Sequence, residues 1–171
     1  MARIFGIDNS ISMLQYKLDA RKTLEALSYI VKQFDTKGMD MYFTVSKQSG
    51  VVQGKRREKL LAQYDNAGFD GQSTVDYTLS KILENRGKKS LKLFFRRESA
   101  KGKSIYVLTD GKWLGNNNSL CGVPELLERV VRHVNRRADL GIQFIQFGDD
   151  EVGTWRLEEL DNRLEKRGVP M

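Results

Sequence analysis

Apolar and polar positions follow two different periods along this chain, and the periods change in a regular order. Residues 3–7 (RIFGI) form a short apolar run suited to a buried strand, which stops at Asp8. Within 13–34, Leu14, Leu18, Leu24, Leu27, Ile30, Val31 and Phe34 recur at helical spacing, with Lys37-Gly38 as the stop. Residues 39–45 (MDMYFTV) are rich in strand formers and predict a second strand. A Gly/Ser-rich turn and a basic stretch lead to a short helix over 57–66, closed by Gly68. Residues 73–84 are helical again, with Val75, Leu79, Ile82 and Leu83 on one face.

The second half repeats this order. Residues 86–103 are a basic, irregular excursion apart from 91–95, which suit a short edge strand. The best buried strand is 104–109 (SIYVLT), broken at Asp110-Gly111 into a polar loop over 112–119. Pro124 fits the first turn of a helix over 125–138, whose buried face is Leu126, Leu127, Val130, Val131 and Val134. A strand over 141–147 (GIQFIQF) follows, then a helix over 154–166 carried by Trp155, Leu157, Leu160 and Leu164. Strands alternating with long helices predict a doubly wound α/β fold, a mostly parallel sheet flanked by helices. Ligands in such sheets gather at the carboxyl ends of the strands. Residues 8–12 and 109–111 therefore carry the most functional interest.

A length of 171 residues suits a single domain over 1–171. No run approaches the roughly 18 apolar residues of a membrane span. The first strand starts too near Met1 to leave room for a secretory leader, and Cys121 is the only cysteine. Both features predict a reducing, cytoplasmic (intracellular) setting. Lys and Arg number 29 against 22 Asp and Glu, a net charge of +7. That balance permits a nucleic acid or an acidic partner without demonstrating either. The basic clusters (55–57, 86–89, Arg96-Arg97, Lys101 with Lys103, Arg136-Arg137) lack the aromatic interleaving of a single-strand platform and read as solvated faces.

Asp8, Ser10 and Ser12 alternate in a strand-to-helix loop, so three oxygen-bearing side chains can converge on one point. An oxygen-only set suits a hard cation, magnesium above all. Asp110 adds a second carboxylate, and the hydroxyls of Ser73-Thr74 can close the ring. Plainer roles stand beside these. Ser10 and Ser12 are possible helix caps, with Asp8 at the helix's positive end, and Ser73-Thr74-Val75-Asp76 matches a capping box. Asp149-Asp150 reads as a solvated turn. His133, the sole histidine, lies among arginines on a helix and reads as a surface residue, and Cys121 has no activating partner. Nothing offers the serines a base, so no enzyme is expected.

The loop D-N-S-I-S, the helix opening G-Q-S-T and the phrase Y-V-L-T-D-G together resemble the von Willebrand factor A domain. Its metal-ion-dependent adhesion site is built from D-x-S-x-S, a distal Thr and a distal Asp. The phrases I-D-N-S-I-S-M, I-Y-V-L-T-D-G-K-W and G-I-Q-F-I-Q-F-G-D-D are most similar to A domains of fungal intracellular proteins, and the resemblance runs from residue 3 to about 166. It implies a three-layer Rossmann-like sandwich with Asp8, Ser10, Ser12 and Asp110 as metal ligands. Ser73 would be the distal hydroxyl, with Thr74 as the alternative. The implied ion is magnesium, with manganese or calcium as substitutes. The implied function is a metal-dependent protein–protein interaction module, in which an acidic side chain of the partner completes the coordination. Two departures stand out. The family's common glycine between the serines is Ile11, and the chain reaches Pro170-Met171 where a final strand is expected, which would leave a sheet edge bare. Two other functions compete. A magnesium-dependent phosphoryl hydrolase would want a second carboxylate where Ser10 stands. A nucleic-acid binder using 86–103 and 55–57 would lose affinity steeply with salt and ignore a chelator.

Overall fold

The computed structural model describes residues 2–33, 38–45, 52–84, 103–115, 119–131 and 140–166. The basic excursion at 86–102, His133 and the side chains of Val134 and Leu164 lie outside the described residues.

Five strands form one sheet: β1 (Ala2–Ile7), β2 (Met39–Phe43), β3 (Val52–Lys55), β4 (Lys103–Thr109) and β5 (Leu140–Gln146), in the order β3-β2-β1-β4-β5. β2, β1, β4 and β5 run parallel, and β3 pairs antiparallel with β2. Along β1, β2, β4 and β5 the side chains alternate between two apolar layers. Ile4, Tyr42, Ile105, Val107 and Ile142 face one layer, which also holds Val75, Leu79, Leu126, Leu127 and Leu160. Phe5, Ile7, Met41, Phe43 and Leu108 face the other, against Ala20, Leu24, Leu60 and Tyr64. Helices α3 (Val75–Glu84), α4 (Val123–Val131) and α5 (Glu151–Lys166) thus cover one face, while α1 (Lys17–Lys32) and α2 (Arg57–Asp65) cover the other. This is the doubly wound, three-layer α/β sandwich expected. Its order turns back between β1 and β4, which places a crevice at their carboxyl ends.

Five local expectations are corrected. The stretch before α2, expected as a turn, contains β3, whose residues pair Met39 with Lys55 and Met41 with Val52 across a register irregularity. A hairpin partner, not local composition, makes this segment a strand. The first helix begins as a 3-10 segment, Ile11–Tyr16, and its buried side is Met13, Ala20, Leu24 and Val31. Leu14, Leu18 and Ile30, expected in the core, are exposed, because the stripe that meets the sheet runs through Met13, Ala20, Leu24 and Val31 at seven- and four-residue spacing and leaves these three on other faces of the helix. The loop over 112–119 is not wholly polar in its packing, since Trp113 is buried. Finally, α5 starts at Glu151, earlier than expected; Trp155 is partly exposed, while its neighbour Arg156 is buried. Asp150 is no idle turn residue: it caps α5 by accepting from the amides of Val152 and Gly153, both at 3.1 Å, and pairs with Lys112 at 2.8 Å.

The start of α5 is pressed against the turn after β4. Gly111 has φ +80°, and a Cβ there would lie 2.5 Å from Gly153 Cα. A Cβ on Gly153 would overlap the carbonyl oxygen of Asp110. Gly153→Ala should therefore destabilise the protein by about 1–3 kcal/mol in chemical denaturation. Gly141→Ala, where a Cβ meets nothing within 4 Å, is the control and should be neutral or slightly stabilising.

Candidate functional site

Register decides what meets at the carboxyl end of the sheet. Ile7 is level with Phe43 on β2 and with Leu108 on β4. The next residue on each chain, Asp8, Thr44 and Thr109, is then level too, and the ladder continues through Asp8 N–H to Leu108 O and Thr44 N–H to Ile7 O, both 2.9 Å. One carboxylate is thereby flanked by two hydroxyls, all three buried. Thr109 Oγ1 donates to Asp8 Oδ2 at 2.6 Å, and Thr44 Oγ1 donates to Asp8 Oδ1 at 3.3 Å. The Ser10 amide also donates to Oδ1, at 3.1 Å.

The hydroxyls form a closed circuit. Thr109 Oγ1 accepts from the Gly111 amide (3.0 Å) and from the Trp113 indole (2.9 Å). Trp113 forms a parallel bridge with Ser73, and the Leu114 amide donates to the Ser73 carbonyl at 2.7 Å. Ser73 Oγ donates to Thr44 Oγ1 at 2.8 Å, which returns the circuit to Asp8. Thr74 takes a different part: its hydroxyl donates to the Thr44 carbonyl at 2.7 Å, while its own carbonyl accepts the first bond of α3 from Thr78. Ser73 thus joins the Asp8 network through its side chain, and Thr74 is committed to backbone.

Ser10 occupies the N-cap position of the 3-10 segment but makes no capping bond with its side chain. Its Oγ lies 3.1 Å from Ser12 Oγ, so the two hydroxyls face each other. Asn9, fully buried, braces the loop by donating to the Gly68 carbonyl and accepting from the Val45 amide, both at 3.0 Å.

Asp110 completes the cluster. Its Oδ1 accepts from the Lys112 amide at 3.0 Å, whereas its Oδ2 is buried and has no hydrogen-bond partner among the described residues. The Asp110 loop is held from behind by Arg156. That guanidinium donates to the carbonyls of Ser119 (3.0 Å), Gly111 (2.8 Å) and Trp113 (3.2 Å). Its burial among carbonyls follows the rule that an interior charge must be hydrogen-bonded.

Sequence patterning brought out Asp8, Ser10, Ser12, Ser73, Thr74 and Asp110 as donors; it marked the segments holding Asn9 and Thr109 without giving either a role, and missed Thr44 and Arg156. The threonines were legible in principle, because a hydroxyl directly follows the apolar run of each neighbouring strand. Arg156 has no sequence signal, since a basic residue on an amphipathic helix is ordinarily exposed. Among the described residues no cluster of three or more Asp, Glu, His or Cys side chains is placed to hold a metal. The candidate donor set is instead two carboxylates with hydroxyls, and an orphaned buried carboxylate oxygen fits a hard divalent cation. Cys121 is half-buried and burial pushes its thiol pKa up, away from nucleophilic character.

The fold itself has solved counterparts. The chain superposes on the crystal structure of the SpRpn10 VWA domain with a TM-score of 0.53 and 14% identity, over 95% of this chain and 94% of that one. It also matches proximal thread matrix protein 1 (PTMP1) from the mussel byssus, with a TM-score of 0.55 and 15% identity, over 94% of this chain but 41% of that one. The fold is that of the von Willebrand A domain. No family model and no curated protein matches the chain. At such identities the likeness concerns architecture alone. Among the described residues no helix is long and apolar enough to cross a membrane.

Burial pushes the Asp8 carboxyl above its ordinary value of 3.8; bonds from Thr109 and Ser10 oppose the shift and the Asp110 charge adds to it. A carboxyl raised in the folded state binds more protons folded than unfolded between its two pKa values. The metal-free protein should therefore gain stability as pH falls from the folded pKa of Asp8 towards 3.8, and Asp8→Asn should flatten that gain in melts across pH.

Proposed function

We propose that this protein is a divalent-metal-dependent protein–protein interaction module, taking magnesium at Asp8, Ser10, Ser12, Ser73 and Asp110 and an acidic side chain of a protein partner at the ion. The observation that carries this is the buried, unpartnered Oδ2 of Asp110 beside the buried carboxylate of Asp8. Two carboxylates balance a divalent ion, and the hydroxyls of Ser10, Ser12 and Ser73 are neutral oxygen donors of the kind magnesium accepts. Such a set leaves the ion short of ligands, so water or a carboxylate from outside would join it. Manganese or calcium would fit the same oxygens. Binding rather than turnover is favoured, because Ser10 stands where phosphoryl transfer would use a second carboxylate and no activated nucleophile accompanies the site.

Thermal melts test the metal. Magnesium or manganese at a hundredfold excess over the dissociation constant should stabilise the fold by about 2.7 kcal/mol. Asp110→Asn should abolish that gain while leaving the metal-free protein as stable as the parent or more so, since it removes a buried charge and keeps the Lys112 contact. Asp8→Ala is a poorer probe, because it strands three donors and should cost about 1–3 kcal/mol even without metal. Ser73→Ala should weaken the metal response and Thr74→Ala should leave it. A melting temperature indifferent to millimolar magnesium and manganese would reduce the cluster to a structural hydrogen-bond network.

A further inference from the structure

Beside the candidate site lies a ridge of three exposed apolar side chains: Ile11 (66% exposed), Leu14 (54%) and Leu18 (64%). Their alignment follows from the change of helix type. In the 3-10 segment Ile11–Tyr16, side chains three apart eclipse, which sets Leu14 behind Ile11. The chain becomes α-helical at Lys17, and Leu18 then follows Leu14 at the four-residue spacing of one α turn. The ridge stops there, because the next exposed turn carries the Asp19–Lys22 ion pair at 3.3 Å. At its other end Ile11 stands between Ser10 and Ser12, whose hydroxyls face each other 3.1 Å apart. Across the site the surface is mixed: Lys112 and Asp150 form an ion pair on the rim of a 400 Å³ cavity that the exposed Leu114 also lines.

We propose that the Ile11–Leu14–Leu18 ridge is the specificity surface of the protein, and that it selects peptide segments in which bulky aliphatic or aromatic side chains lie beside the acidic residue. This rests on the metal-dependent binding proposed above. The ridge and the ion set the two halves of the partner's chemistry. A cation at Asp8 and Asp110 calls for a carboxylate, and the exposed Ile11 lies in the same loop, between Ser10 and Ser12. The same apolar cover excludes water from the carboxylate–cation contact, which strengthens it. A segment that is acidic but otherwise polar would leave three apolar side chains wet and lose that screening.

The test is selection from a displayed library of short peptides with one fixed Glu and randomised flanks, panned on the whole protein in millimolar magnesium. Parent protein should enrich peptides with Leu, Ile, Met or Phe at a constant offset from the Glu. Ile11→Ser and Leu14→Ser should bind the enriched peptides about ten- to a hundredfold more weakly, the loss expected from exposing one buried aliphatic side chain. Both variants should keep the magnesium-induced rise in melting temperature, which shows that the metal site is intact. Enriched sequences without an apolar residue at a constant offset, or serine variants that bind the parent's peptides equally well, would overturn the proposal. So would a library that yields no enrichment from a protein still stabilised by magnesium. Apolar enrichment that survives a chelator and replacement of the Glu would uphold the ridge and overturn the metal-dependent function instead.

Discussion

A carboxylate cut off from water at the end of a central strand must be hydrogen-bonded, neutralised or matched to a cation, and the upper end of this molecule is organised around that requirement at Asp8. Parallel register brings Thr44 and Thr109 level with it, so both carboxylate oxygens accept from hydroxyls supplied by the two neighbouring strands. Those hydroxyls are oriented in turn. Thr109 is pinned by the Gly111 amide and the Trp113 indole, and Thr44 by Ser73. The circuit draws in three loops that are distant in the chain, which gives them one shared geometry rather than three independent ones.

A second layer supports the first. Arg156 gathers the carbonyls of Gly111, Trp113 and Ser119, and Gly153 lets α5 come within contact of the Asp110 carbonyl. Asp150 caps the same helix and pairs with Lys112, whose amide holds Asp110 Oδ1. The first turns of α5 thus hold the Asp110 loop from one side, while Thr109 and Ser73 hold it from the other. The consequence is that Asp110 Oδ2 is held in place without a donor among the described residues. A preorganised but unsatisfied oxygen of this kind is a cost to the protein alone and an advantage once a cation is present.

The von Willebrand A fold accounts for where this cluster sits but not for what it does, because a fold hosts many activities. What the proposed binding role rests on lies in the side chains: two carboxylates with neutral hydroxyls, and an exposed apolar ridge that continues from the loop carrying Ser10 and Ser12.

The sequence by itself determined the succession of strands and helices, since buried strands and amphipathic helices each impose their own period on apolar residues. RIFGI and SIYVLT could hardly be anything but central strands, and Val75, Leu79, Ile82 and Leu83 could face only the core. It also disclosed Asp8, Ser10, Ser12 and Asp110, because each follows a strand end where a parallel sheet opens. Tertiary structure alone decided the rest. Whether Ser73 or Thr74 turns towards Asp8 depended on which hydroxyl the Thr44 carbonyl claimed. Leu14 and Leu18 lie outside the core because packing chose the stripe through Met13, Ala20, Leu24 and Val31, and Arg156 entered it because three loop carbonyls needed a donor. Period and propensity are local quantities; register, burial and the partner of each polar group are settled only when distant segments meet.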